Sequence, residues 1–331
     1  MNNWIELTNK EKIEILDKVT LSTGLPAESI EKDWWVTMTL RALFSCECAD
    51  YIVFKGGTSL SKAWNLIERF SEDVDIAIDR KFFGFDGELK KKQINYLRRA
   101  SCAYISGKLK DELDAKLKEN GVEDYTLAVP ETQDTTKDPQ TIEIKYNTLF
   151  DTDYLQNKVV IEIGSRSLME PSSIIRIRSL IADTFPDSDF ADDYCSIPTV
   201  IPQRTFLEKA FLLHEEFQKP TEKIRVDRMT RHIYDLEKLM DTDYAKEALN
   251  NKDLYNAIVE HRRTLTAMKE VDYDTHVPGK INFIPPAFIM DLWRKDYETM
   301  QGYMIYGKSL PFDKLMDRIR ELNERFRSIK Y

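Results

Sequence analysis

Residues 51–78 constrain the fold of this chain more than any other stretch. Tyr51-Ile52-Val53-Phe54 is a short β-rich run that meets Lys55-Gly56-Gly57. Behind the glycines, Leu60, Trp64 and Ile67 recur at spacings of four and three, which predicts a helix stopping near Phe70. Val74 to Ile78 then reads as a second strand. Strand, Gly-Gly turn, helix and strand in close succession make a small α/β unit with a turn at one strand end.

That unit carries two chemical features. A strand that enters glycines and then a helix presents backbone N–H groups at a positive dipole end, where a phosphate can sit. Gly56 and Gly57 let the backbone approach it closely. Thr58 and Ser59 add hydroxyls, and Lys62 adds a cation one turn on. The bland alternative is a tight turn with Thr58 or Ser59 as helix cap. The Gly-Lys-Ser/Thr ending of a P-loop is absent. The second feature is Asp73-Val74-Asp75. Residues two apart on a strand share a face, so the two carboxylates project together. Side by side they repel, and a divalent cation removes that repulsion. Magnesium (or manganese) bound by one or two carboxylates, water and phosphate oxygens fits such a pair. The bland reading is a solvated strand end with Arg69 or Arg80 offsetting the charge.

Together the features place a triphosphate and a metal one helix apart, as a two-metal phosphoryl transfer requires. A third carboxylate would complete the site. Glu162, on the run Val159-Val160-Ile161-Glu162-Ile163, is the candidate, and Glu143, on Thr141-Ile142-Glu143-Ile144-Lys145-Tyr146, is its rival.

Elsewhere, residues 8–45 and 88–119 read as helical, 122–139 as a loop, and 172–180 as a further strand. After Pro202 the pattern is helical to the end. Phe206, Ala210, Leu213 and Phe217 form one stripe, and Met229, Ile233, Leu236 and Met240 another. The expected fold class is α+β: a small mixed sheet flanked by helices over 1–200, then a helical domain over 201–331. Apolar residues make up 42% of 331, enough for a sizeable core. No segment is long and apolar enough to span a membrane. The opening residues lack a basic segment followed by an apolar one, so no signal peptide is read. Cys46, Cys48, Cys102 and Cys195 are too few for a disulfide framework, and the expected location is cytoplasmic. A net charge of −9 argues against a general nucleic-acid coat protein. It leaves room for a local patch such as Lys223, Arg225, Arg228 and Arg231. The cluster Lys90, Lys91, Lys92, Arg98 and Arg99 reads as a solvated helix face. His214, His232, His261 and His276 show no metal-ligand spacing and read as structural or surface residues.

Lys55-Gly56-Gly57-Thr58-Ser59-Leu60 followed by Phe70-Ser71-Glu72-Asp73-Val74-Asp75 resembles the DNA polymerase β-like nucleotidyltransferases. Within them, the chain is similar to the AbiEii/AbiGii toxin family. Glu31-Lys32-Asp33-Trp34-Trp35-Val36, Thr205-Phe206-Leu207-Glu208-Lys209 and Arg231-His232-Ile233-Tyr234-Asp235-Leu236 extend the likeness over roughly residues 30–240. The gap from Gly57 to the acidic run is longer than in the tightest form of the signature. The resemblance implies a polymerase β-type core and transfer of a nucleoside monophosphate from a nucleoside triphosphate. It implies that Lys209 contacts the phosphates and that Asp235 helps position substrate or base. From the residues alone, Lys209 flanks the Phe206–Leu213 stripe near the core edge, consistent with pointing into a cleft, and the bland alternative is a snorkelling surface lysine. Asp235 could equally pair with Arg231. The implied acceptor is RNA, such as a tRNA end. The implied context is a toxin–antitoxin or phage-defence system with a cognate antitoxin encoded nearby. The rival readings are transfer to a protein hydroxyl or small molecule, and a nucleotide-binding module without catalysis.

Overall fold

The N-terminal helices begin and end on local signals. Thr8 and Glu11 form a reciprocal capping box at the start of α1 (Asn9–Thr23), and Gly24 ends it at φ +74°. Helix α2 (Ala27–Leu43) starts behind Pro26 and is buried nearly all round, as expected of a central helix rather than a surface one. The computed structural model describes residues 4–71, 73–150 and 156–331. Glu72 lies outside them.

These helices belong to a first unit, residues 4–63 and 71–199. In chain order it continues with β1 (Ile52–Lys55), α3 (Gly56–Lys62), β2 (Asp73–Ile78), α4 (Lys91–Tyr104), α5 (Lys110–Glu119), β3 (Tyr125–Ala128), β4 (Gln140–Tyr146), β5 (Lys158–Gly164), β6 (Ser172–Ile177), α6 (Leu180–Thr184) and β7 (Cys195–Val200). The strands form one seven-stranded sheet in the order β3-β4-β5-β2-β1-β7-β6. Strand β2 pairs antiparallel with β1 and parallel with β5, so the sheet is mixed. Alternation sorts its residues. Val74, Ile76, Ile142, Ile144, Val159, Ile161 and Ile163 are buried and join one core with Trp34, Trp35 and Met38 of α2. Asp73, Asp75, Val160 and Glu162 stand on the opposite face and are half-exposed.

Charged residues of α2 tie distant loops to this core. The buried Glu31 carboxylate accepts hydrogen bonds from the Thr148 hydroxyl at 2.6 Å and the Leu149 N–H at 3.0 Å. Lys32 donates to the Gln156 carbonyl. Asp33 receives Lys62 and the Leu180 N–H, at the start of α6. Glu31-Lys32-Asp33 therefore acts as a set of staples.

The second unit comprises residues 64–70 and 200–331. Its helices are α7 (Pro202–Glu216), α8 (Thr230–Leu239), α9 (Asp243–Asn250), α10 (Lys252–His261), α11 (Met290–Tyr303) and α12 (Phe312–Arg327). Of the two predicted apolar stripes, Phe206, Ala210, Leu213, Met229, Ile233, Leu236 and Met240 are buried, and Phe217 is half-buried.

Two expectations need correction. The helix after the glycines ends at Lys62 rather than near Phe70. Leu60 is buried within the first unit, whereas Trp64 and Ile67 belong to the second. Their helical spacing is thus met by two cores, and Asn65 breaks the helix at φ +55°. The expected loop at 122–139 contains the edge strand β3, whose half-exposed residues give little hydrophobic alternation. Strand β7 contains Pro198, which breaks the strand pattern in the sequence.

Candidate active site

The Gly-Gly turn and the aspartate pair meet at one atom. Gly56 sits at φ +79°, and a Cβ built on it would lie 1.9 Å from Asp75 Oδ2. Any other residue would collide with that carboxylate, so glycine is needed here for conformation and for close approach. The register explains the meeting: Lys55 lies opposite Asp75 in the β1–β2 pair. Asp75 in turn lies opposite Glu162 in the β2–β5 pair. Lys55, Asp75 and Glu162 thus form a row across three adjacent strands. Lys55 Nζ stands 3.9 Å from Asp75 Oδ1.

Hydroxyls near the turn are spent on bracing it. The Thr58 hydroxyl donates to the Asp73 carbonyl, and Ser59 Oγ donates to the Gly56 carbonyl at 2.9 Å. Thr58 and Ser59 are buried, and no side chain caps the start of α3. What the turn can offer a phosphate is backbone N–H groups rather than these hydroxyls. Lys62 is also committed: its ammonium lies 2.6 Å from Asp33 Oδ1 and donates to the Arg178 carbonyl. Its side chain is 6% exposed, which favours a structural role over phosphate contact.

The two candidates for third carboxylate differ in surroundings. Glu143 lies opposite Val160, one strand further from Asp73. Its carboxylate is 2.6 Å from Lys158 and 3.6 Å from Lys145, and these ammonium groups, Lys158 first, hold it below the usual carboxylate range. Glu162 is Asp75's direct neighbour. The oxygen donors Asp73, Asp75 and Glu162 suit a hard divalent cation. Among the described residues no three acidic, histidine or cysteine side chains are gathered closely enough to hold an ion alone. Water and phosphate oxygens would complete the shell, as magnesium prefers.

In the second unit, Lys209 and Asp235 are joined by a residue that the sequence offered only as a neutraliser for the aspartate pair. Arg69 embraces Asp235 with Nε at 2.7 Å from Oδ1 and Nη2 at 2.8 Å from Oδ2. Lys209 Nζ lies 2.7 Å from Oδ2. All three side chains are buried. Burial pulls the Lys209 ammonium's pKa down, aided by Arg69 and opposed by Asp235. Burial raises the Asp235 pKa, but the two cations outweigh it and hold its carboxyl below the usual carboxylate range. A carboxylate so paired is a poor proton acceptor.

Of the basic residues, Lys223 pairs with Glu270, and Arg225 with Glu216. Lys90, Lys91, Lys92 and Arg99 are exposed around α4, as a solvated face requires. His214 and His276 are buried beside each other, and Glu215 accepts from His276 and Arg262.

The family model described as "Nucleotidyl transferase AbiEii toxin, Type IV TA system" matches residues 40–318. Two solved structures are similar. MenT4, a nucleotidyltransferase toxin from Mycobacterium tuberculosis, is 16% identical with a TM-score of 0.44, over 98% of this chain and 100% of that one. JHP933 from Helicobacter pylori is 14% identical with a TM-score of 0.43, over 87% and 89%. No curated protein matches the chain. Among the described residues no helix is long and apolar enough to cross a membrane.

Proposed function

Because the chain belongs to the AbiEii family of nucleotidyltransferase toxins of type IV toxin–antitoxin systems, we propose that Gly56, Asp73, Asp75 and Glu162 form its reaction centre. The observation that carries this is the Asp75 carboxylate filling the space where a Gly56 Cβ would stand. It ties the turn that would meet a phosphate to the carboxylates that would meet a metal.

In the reaction an acceptor hydroxyl attacks the α-phosphorus of a nucleoside triphosphate. A phosphorus–oxygen bond forms to the acceptor, the bond to pyrophosphate breaks, and the hydroxyl proton leaves. Gly56 and Gly57 bring backbone N–H groups to the phosphates. Asp73 and Asp75 would hold a divalent cation, with Glu162 as further ligand or as acceptor of the hydroxyl proton. Magnesium or manganese bound there would neutralise charge developing on the phosphates. Lys55, beside Asp75, keeps that carboxylate partly neutralised. Lys209 contacts the triphosphate, and Asp235 holds Lys209 rather than moving a proton. The acceptor is an RNA end, and the antitoxin is a separate, neighbouring gene product.

The test is transfer of label from α-labelled nucleoside triphosphates with magnesium, offered total RNA and total protein. Label in RNA that disappears in Asp73→Asn and Asp75→Asn is the expected result. Label in protein alone would move the acceptor to a protein hydroxyl. Full transfer by either variant would refute the metal assignment. Bound triphosphate with no transfer to any acceptor would leave a nucleotide-binding module.

A further inference from the structure

The buried group Arg69–Asp235–Lys209 holds two cations and one carboxylate, and the odd member is Arg69. It comes from residues 64–70, outside α7 and α8, and its backbone is fixed with care. The Phe70 N–H donates to the Met304 carbonyl at 2.7 Å, and the Tyr306 and Gly307 N–H groups donate to the Glu68 carbonyl. Arg69 itself bridges to Ile305. Gly307 makes room for this strap: a Cβ on it would lie 2.0 Å from Glu68 Oε2. The guanidinium is thus delivered on a clamped segment, and its two parallel bonds to Asp235 set the orientation of the carboxylate plane. That orientation fixes where Oδ2 meets the Lys209 ammonium.

We propose that Arg69 is a positioning residue for nucleotidyl transfer, acting through Asp235 to hold the Lys209 ammonium in place for the triphosphate. This rests on Lys209 being a phosphate contact. Because Arg69 satisfies the carboxylate's demand for charge, Lys209 can turn toward an anion without leaving Asp235 bare in the interior. Lys209→Met should therefore be tolerated by the fold. So should Arg69→Gln, which leaves Asp235 paired with Lys209.

The test uses the full chain and a triphosphate analogue with a methylene between its α- and β-phosphorus, titrated by calorimetry. Lys209→Met is expected to weaken binding about thirtyfold and Arg69→Gln about tenfold, with the double variant no weaker than Lys209→Met, because residues acting in series do not add. Arg69→Lys should fall between Arg69→Gln and the unaltered chain. Losses that multiply in the double variant, or unchanged affinity in a folded Arg69→Gln, overturn the proposal. A second readout does not depend on nucleotide. With 15N-labelled lysine, the Lys209 Nζ signal is identified by its loss in Lys209→Met. It should shift or broaden in Arg69→Gln, and also in Arg69→Lys should the glutamine variant not fold. An unmoved signal overturns the positioning role. Unchanged affinity in Lys209→Met with a moved signal instead refutes Lys209 as phosphate contact and leaves the Arg69 linkage standing.

Discussion

Replacing Gly56 by alanine tests the candidate centre at its tightest point. Two penalties are separable. The first is conformational: a non-glycine residue at φ +79° costs about 1–2 kcal/mol. The second is a collision. The Asp75 oxygen now 1.9 Å from the position of the new Cβ must retreat to at least 3.0 Å, a displacement of about 1 Å. Misplacement of that size at a reacting centre costs on the order of 100-fold in rate. Gly24→Ala supplies the control, since Gly24 has φ +74° and nothing within 4 Å of its Cβ. Both variants should lose about 1–2 kcal/mol in thermal or urea unfolding. Only Gly56→Ala should lose transfer of labelled nucleotide to RNA, by about 100-fold. A folded Gly56→Ala that transfers label within about threefold of the unaltered chain would show that Asp75 can move without consequence, contrary to the rate penalty expected. The reasoning from the turn to the centre would then fail.

Other outcomes follow from the same geometry. Asp235→Ala strands Arg69 and Lys209 in the interior, and a loss of about 3–5 kcal/mol in urea unfolding is expected; a loss below about 1 kcal/mol would contradict the pairing. Glu162→Gln should abolish transfer while Glu143→Gln, whose carboxylate serves Lys158 and Lys145, keeps it; the reverse order would exchange their roles. Stability should also depend on pH through His214. Burial pushes its pKa from 6.5 down to about 4, against the pull of its bond to Asn282. The unfolded chain then binds more protons between those values, so this stability is complete above 6.5 and drains away as pH falls toward 4. The fall is worth about 3 kcal/mol, and a pH series of urea midpoints for the unaltered chain and His214→Gln should show the dependence shrinking in the variant. Equal slopes would refute it.

What could be read from the sequence was what neighbouring residues decide among themselves. Alternation placed Asp73 and Asp75 on one face, and glycines marked the turn before α3, because strand pleat and backbone freedom are local properties. The same local logic failed at Trp64 and Ile67. Their spacing fitted one helix, yet both belong to a different unit from Leu60. Tertiary packing there overrode a periodicity that several chain paths could satisfy.

The identity of charge partners was hidden for a related reason. Asp33 finds Lys62 across 29 residues, and Arg69 finds Asp235 across 166. No local pattern encodes a separation of that size. Sequence neighbours suggested Arg231 as Asp235's partner and Arg69 as a neutraliser of Asp73 and Asp75. The fold sends Arg69 to Asp235, which changes the chemistry around Asp235. Beside the aspartate pair, Lys55 Nζ stands 3.9 Å from Asp75 Oδ1, a long and weak contact. Asp235, doubly paired, is a poor proton acceptor, and in the reading proposed above it is the fixed point against which Lys209 is held.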